Sequence, residues 1–104
     1  MPTPLSPETL VYGLRTAADP QLSPDGERIA YTFVTIEREK REITSHVWLC
    51  DRNGADGRAL TSSGKRNGGA RWSPDGQQLA FVSDRVEQSG IFVLPMNGGE
   101  AREI

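Results

Sequence analysis

The chain has 104 residues, with 12 Lys+Arg against 14 Asp+Glu, a formal net charge of −2 and 36% hydrophobic residues. That length suits one domain or part of a larger one; a complete two-domain enzyme does not fit, and a large closed β architecture is not expected to either. Tyr31, Phe33, Trp48, Trp72, Phe81 and Phe92 sit in apolar runs, which argues against disorder. No stretch approaches the roughly 18 apolar residues of a membrane-spanning helix. The near-neutral balance lacks the basic excess of a dedicated nucleic-acid binder. Neither a membrane nor a nucleic-acid partner is therefore expected.

The opening Met1-Pro2-Thr3-Pro4-Leu5-Ser6-Pro7 has no positively charged start and is not followed by the apolar run of about 7–15 residues that marks an export signal. The expected location is cytoplasmic. Cys50 is the sole cysteine, so no internal disulfide can form. Ser6 suits a helix N-cap, Pro7 the first helical position and Glu8 the first turn, where a negative charge favours the dipole. Leu5 and Leu10 have the spacing of a hydrophobic staple, and Leu10, Val11 and Leu14 form a helical stripe. These signals predict one short N-terminal α-helix within residues 1–18, ending near Thr16 to Ala18, ahead of Asp19-Pro20.

The period then changes to two. Ile29, Tyr31 and Phe33 alternate with Arg28, Ala30, Thr32 and Val34 as in a strand. His46–Cys50, Leu79–Val82 and Ile91–Leu94 are three more predicted strands, each bounded by turn-forming residues. Asn53, Asn67 and Asn97 each precede Gly and read as turn residues.

An internal repeat organises these strands. Gln21-Leu22-Ser23-Pro24-Asp25-Gly26-Glu27-Arg28-Ile29-Ala30-Tyr31 matches Arg71-Trp72-Ser73-Pro74-Asp75-Gly76-Gln77-Gln78-Leu79-Ala80-Phe81 at an offset of 50. Val47-Trp48-Leu49 followed by Asn53-Gly54 matches Ile91-Phe92-Val93-Leu94 followed by Asn97-Gly98 at an offset of 44. The difference, 50 − 44 = 6, assigns a six-residue excess to the first unit, in the charged run Glu37-Arg38-Glu39-Lys40-Arg41-Glu42. In Ser-Pro-Asp-Gly, Pro presets φ, Asp caps its own backbone and Gly accepts a positive φ, which makes a turn between antiparallel strands. Four antiparallel strands repeating at roughly 40–50 residues is the pattern of a β-propeller blade. The expected fold is all-β: about two four-stranded blades, residues 19–66 and 67–104, after the N-terminal helix, and short of the 4–8 blades that typically close a propeller. The alternative is a pair of unrelated hairpins in a small sandwich.

The two Ser-Pro-Asp-Gly segments, each ending in aliphatic-Ala-aromatic, resemble the TolB-type propeller repeat. A wider order is visible too. The Ser-Pro-Glu-x-Leu start leads to Asp19-Pro20-Gln21-Leu22-Ser23-Pro24-Asp25-Gly26, then Ser45-His46-Val47-Trp48-Leu49 and Arg58-Ala59-Leu60-Thr61. Ala70-Arg71-Trp72-Ser73-Pro74-Asp75-Gly76 and Phe81-Val82-Ser83-Asp84-Arg85 follow. That order resembles the start of acylaminoacyl-peptidase-like members of the prolyl oligopeptidase family of serine peptidases, over nearly the whole chain. The resemblance implies a substrate-gating propeller ahead of an α/β-hydrolase domain that carries a Ser-Asp-His triad. It implies as partners the remaining blades, that hydrolase domain and a peptide substrate, and places the chain as a piece of a longer enzyme. The alternative is a non-enzymatic TolB-type interaction propeller, and a third reading is a short protein that builds a propeller from several chains.

No triad residue can be carried over, because none of the eight serines sits in Gly-x-Ser-x-Gly. Ser45 and His46 are adjacent on a strand and point to opposite faces, a poor nucleophile–base pair. His46 and Cys50 would share a face about 13 Å apart, so Cys50 reads as buried structure. Asp51–Gly57 fails the EF-hand pattern at the positions of Ala55, Asp56 and Ser62 and reads as a hairpin turn. Gly64–Gly69 lacks the framing residues of a P-loop and reads as an inter-blade linker. Asp84-Arg85 is expected to form a local ion pair that fixes a turn, and Trp48 and Trp72 to fill the blade-to-blade core. No catalytic, metal or cofactor residue is assigned within 1–104. Since about three repeats are needed to bury one another, the chain alone is expected to be marginal, oligomeric or aggregation-prone.

Overall fold

The computed structural model describes residues 14–37, 39–86 and 89–104. They form eight strands: β1 (Leu14–Leu22), β2 (Arg28–Glu37), β3 (Glu42–Asp51), β4 (Arg58–Ala59), β5 (Asn67–Trp72), β6 (Gln78–Ser83), β7 (Gly90–Pro95) and β8 (Arg102–Glu103). Two four-stranded antiparallel sheets result, in the orders β1-β2-β3-β4 and β5-β6-β7-β8. Each is a meander of neighbouring strands, as the repeat predicts.

The predicted helix is corrected at its C-terminal end. Its start, including Ser6, Pro7 and Leu10, lies outside the described residues. Residues 14–18, assigned to that helix, belong to β1 and pair with Ile36 through Thr32 of β2. Three residues of helical spacing are a weak signal, and the ladder offered by a long neighbouring strand overrides it. Asp19-Pro20 does not end the element but bulges it: the register shifts between Ala18 and Gln21, with Asp19 at φ 52. β5 bulges at the equivalent place, between Gly68 and Arg71, with Gly69 at φ 64.

The six extra residues of the first unit lengthen a hairpin. β2 and β3 have ten residues each and β6 and β7 have six, while the connection shortens from six residues to four. Glu39, Lys40 and Arg41 of the charged run sit at the tip of that hairpin.

The two Ser-Pro-Asp-Gly turns are near-duplicates. In the first, the Ser23 hydroxyl donates to Asp25 Oδ1 (2.6 Å), which also accepts Glu27 N–H (3.0 Å), and Arg28 N–H donates to Ser23 Oγ (3.0 Å). Ser73, Asp75, Gln77 and Gln78 repeat these bonds at 2.6, 3.0 and 3.0 Å. Gly26 and Gly76 both hold positive φ, 74° and 71°. These bonds hold the carboxyls of Asp25 and Asp75 below the ordinary carboxylate range, the serine hydroxyl being the main cause.

The core lies between the sheets. Strand alternation puts Ala30, Val47 and Leu49 on the inner face of the first sheet, where they meet Leu79, Phe81, Phe92 and Leu94 of the second. Phe81 and Phe92 stack at 6.0 Å between ring centroids. Because β-strand side chains alternate, Ile29, Tyr31 and Phe33, with their cross-strand partners Cys50, Trp48 and His46, fall on the opposite face of the first sheet.

Candidate functional site

Two places gather the informative side chains: a polar seam where the sheets meet, and the outer face of the first sheet.

The seam is built around Asn67, which is 1% exposed. As the first residue of β5 it is a strand residue with a buried amide, not the turn residue its Asn-Gly context predicts. Its Nδ2 donates to the carbonyls of Ser45 (3.1 Å) and Ser63 (3.0 Å), and its Oδ1 accepts the Ser83 hydroxyl (2.6 Å). Its backbone N–H donates to Ser45 Oγ (3.1 Å). One side chain thus ties β3, the 60–66 connection and β6 together. Such a buried amide is stable only because each of its polar atoms is paired.

His46 joins this network. Its Nδ1 lies 2.9 Å from Thr61 Oγ1 and 3.2 Å from Asn67 Nδ2. Both hydrogens of the Asn67 amide nitrogen are already directed at the Ser45 and Ser63 carbonyls, so the Thr61 hydroxyl is the ring's partner in this network. Thr61 Oγ1 accepts Val47 N–H (3.0 Å) and can give its own proton to the ring. Ser45 Oγ faces Asn67 rather than the ring of His46. His46, Ser45 and Cys50 are not brought together as a nucleophile and base. Burial pushes the Cys50 thiol up, with Asp51 adding to the effect, which is the opposite of an activated thiolate.

Two further expectations are corrected. Asp84 and Arg85 do not pair with each other. Asp84 Oδ1 accepts the backbone N–H groups of Lys65 (2.8 Å) and Arg66 (2.9 Å), which hold its carboxyl below the ordinary range. Arg85 turns away, donating through Nε to Ser83 Oγ (3.1 Å) and lying 4.7 Å over the Phe92 ring. The basic glycine loop at 64–69 thus has an internal anion, the Asp84 carboxylate. Gly64 is required there: its φ is 76°, and an added Cβ would stand 2.6 Å from Asp84 Oδ1.

The two tryptophans also part company. Trp72 packs against the core, donates Nε1–H to Gln21 O (2.8 Å) and carries Arg28 over its ring at 5.2 Å. Trp48 is not in the blade-to-blade core. It lies on the outer face, edge-on to Phe33 at 5.2 Å and 6.4 Å from Tyr31. An apolar hollow on that face is lined by Ala17, Pro20, Ile29, Tyr31, Phe33 and Cys50. In the Asp51–Gly57 loop, Asp51 Oδ1 accepts Asn53 and Ala55 N–H groups, as a turn residue does. Among the described residues no group of three His, Cys, Asp or Glu side chains converges as metal ligands.

Comparison with known proteins supplies what no side-chain cluster here does. No family model matches the chain. It is 38% identical over 95 residues, 90% of its length, to the uncharacterized peptidase YuxL of Bacillus subtilis, of which it spans 14%. It is 31% identical over 77 residues to the Tol-Pal system protein TolB of Methylococcus capsulatus, covering 74% of this chain and 18% of that one. Among solved structures, the Pyrococcus horikoshii acylaminoacyl peptidase superposes with a TM-score of 0.69 at 18% identity, over 86% of this chain and 13% of the other. TolB from Acinetobacter baumannii superposes at 0.52 with 15% identity, over 81% and 31%. The chain therefore spans about a seventh of the peptidases it matches. Its two sheets are propeller blades like those of acylaminoacyl peptidase and TolB, and its sequence is similar to a peptidase over nine-tenths of its length.

Proposed function

We propose that residues 1–104 are the substrate-gating N-terminal propeller portion of a cytoplasmic serine peptidase of the prolyl oligopeptidase family, acting on short or N-acylated peptides. In this reading residues 14–66, which include all of β1, and 67–104 contribute consecutive blades, and the triad sits in an α/β-hydrolase domain outside these residues. The observation that carries it is the 38% identity to a peptidase over 90% of the chain, which spans both turn repeats. The side chains agree with a non-catalytic role: the one histidine is engaged by the Thr61 hydroxyl, and the one cysteine is buried. What such blades supply is a rigid wall, and the fully paired seam serves that purpose.

The test uses the longer protein that carries this segment. A fluorophosphonate probe should label a serine outside residues 1–104, and N-acyl-aminoacyl anilides should be hydrolysed. Ser45→Ala should leave kcat within about twofold, as for a residue remote from the chemistry. A folded Ser45→Ala protein with hydrolysis reduced a hundredfold would sink the assignment. The second reading, a non-enzymatic interaction propeller, rests on the TolB identity; a folded protein that neither labels nor hydrolyses would favour it.

A further inference from the structure

We propose that the cleft between the overhanging β2–β3 hairpin and the start of β5 binds the C-terminal carboxylate of a short apolar peptide, with Arg66 as its partner. That the ligand is a peptide rests on the peptidase reading; that it carries a carboxylate rests on the cleft alone.

The extra length of the first hairpin makes the cleft. β6 ends at Ser83, which the repeat aligns with Phe33, so the pairs from Val34↔Ser45 to Glu37↔Glu42 have no counterpart in the second sheet. Alternation keeps Val34, Ile36 and Ile43 on the face that bears Ala30, Val47 and Leu49. Past the end of the second sheet that face is partly bare: Ile36 is 37% and Ile43 40% exposed. Opposite stands the start of β5, where Gly68 and Gly69 carry no side chain. The space between is a cleft of about 530 Å³, with Asp19, Val34, Ile43, Arg66, Gly68 and Gly69 in its lining, a size that suits a small ligand. An added Cβ on Gly68 would meet Thr32 Oγ1 at 3.2 Å, so a larger residue there would crowd the floor.

Arg66 supplies the charge. Its backbone is fixed by Asp84 Oδ1, which accepts its N–H (2.9 Å), and its side chain by Nε, which donates to Ile43 O (3.2 Å). Its Nη nitrogens take no partner among the described residues. A guanidinium tethered in this way has already lost much of its rotamer freedom, and its remaining N–H groups suit a carboxylate. The acids around it are engaged. Asp19 is bound by Arg71 (3.1 Å) and Gln21 (3.0 Å), and Glu42 by Lys65 (3.4 Å). Asp84 accepts two backbone N–H groups. Arg66 is thus the unmatched charge of the cleft, and it selects an anion. Val34 and Ile43 beside it favour an apolar side chain next to that anion.

The experiment uses the whole protein that carries these residues. Calorimetric titration compares N-acetyl-dileucine with its C-terminal amide, both N-methylated at the leucine–leucine bond so that they resist cleavage. The free acid should bind about tenfold more tightly than the amide, as one charge-assisted contact allows. Arg66→Gln should bring the acid to the Kd of the amide and leave the amide within about twofold. Arg66→Lys, which keeps the charge but not the fork, should retain part of the preference. Ile43→Glu, at an exposed position, puts a competing carboxylate beside Arg66 and should abolish the preference without touching the arginine. Circular dichroism checks that each variant is folded. Equal binding of acid and amide by the unaltered protein would overturn the proposal, as would a preference that survives both Arg66→Gln and Ile43→Glu. Hydrolysis of N-acyl-aminoacyl anilides by the same preparations reports separately on the peptidase reading. Intact hydrolysis without an acid preference would remove the cleft alone; an Arg66-dependent preference without hydrolysis would keep the cleft and remove the peptidase.

Discussion

The two blades are built from the same local sequence, yet equivalent residues meet different fates. Phe81 is 1% exposed, whereas Tyr31, its counterpart, is half-buried beside Phe33 and Trp48. Asn67 is buried at the centre of a polar seam, whereas Ala17 at the same place in the first blade is exposed. Asp19 takes the positive φ that Gly69 takes in the second blade, and reaches across to Arg71 at 3.1 Å. The turn is repeated because its causes lie within a few residues. The packing is not, because a blade face is stabilised only by the neighbour that covers it.

The sharpest way to break this comparison is to truncate the paired aromatics. Phe81→Ala should cost about 3–5 kcal/mol, the range for removing a buried phenylalanine. Tyr31→Ala should cost about half of that or less in the monomeric chain, since much of its surface is already wet. Equal losses in denaturant midpoint would mean that the outer face is as well covered as the inner one. The seam comes next. Asn67→Ala strips the Ser83 hydroxyl of its acceptor and leaves the carbonyls of Ser45 and Ser63 without their donor, at a cost of about 1–3 kcal/mol. Asn67→Asp should be worse, because a carboxylate would face those same carbonyls. Ala17→Asn, the reverse exchange on the exposed blade, should stay within about 0.5 kcal/mol. A neutral Asn67→Ala would remove the seam from the account of how the blades are joined.

The same contrast explains what was legible beforehand. Ser-Pro-Asp-Gly was readable because Ser23, Asp25, Glu27 and Arg28 satisfy one another within six residues. The strands and their repeat were readable from alternation, and so was the two-blade architecture. Asn67 was not, because its partners stand 4, 16 and 22 residues away and its Asn-Gly context points to a turn. Asp84 was misassigned for the same reason: adjacent Arg85 looks like its partner, but the amides it binds are 18 and 19 residues back. The parity of Trp48 against Val47 separates it from the core once the covered face is known, and only the assembled sheets say which face that is. The 14–18 segment needed β2 beside it before it could be a strand. The proposed gating role rests on similarity to a peptidase over nine-tenths of the chain rather than on any side-chain cluster.

The smallest expected effect is on acid stability, and here the blades should behave alike. Asp25 and Asp75 have carboxyls held below the ordinary value of 3.8 by their serine hydroxyls and then by the amides of Glu27 and Gln77. A carboxyl with a depressed folded-state value adds stability above its unfolded value and loses it as the pH falls through the folded one. The contribution is therefore fully present at neutral pH and disappears progressively below about pH 4. Asp84 follows the same sign through the amides of Arg66 and Lys65, but it joins the two blades where the other two act within one. Asp25→Asn and Asp75→Asn should each flatten the acid limb of melting temperature against pH by a similar small amount. Asp84→Asn should flatten it as well and, alone of the three, weaken the link between the 64–66 loop and β6, so that amide exchange speeds up at Lys65 and Arg66. Unequal slopes for Asp25 and Asp75 would show that the turns, duplicated in geometry, are not duplicated in energy. Unchanged exchange at Lys65 and Arg66 in the Asp84 variant would leave the joint between blades to Asn67 and the apolar core alone.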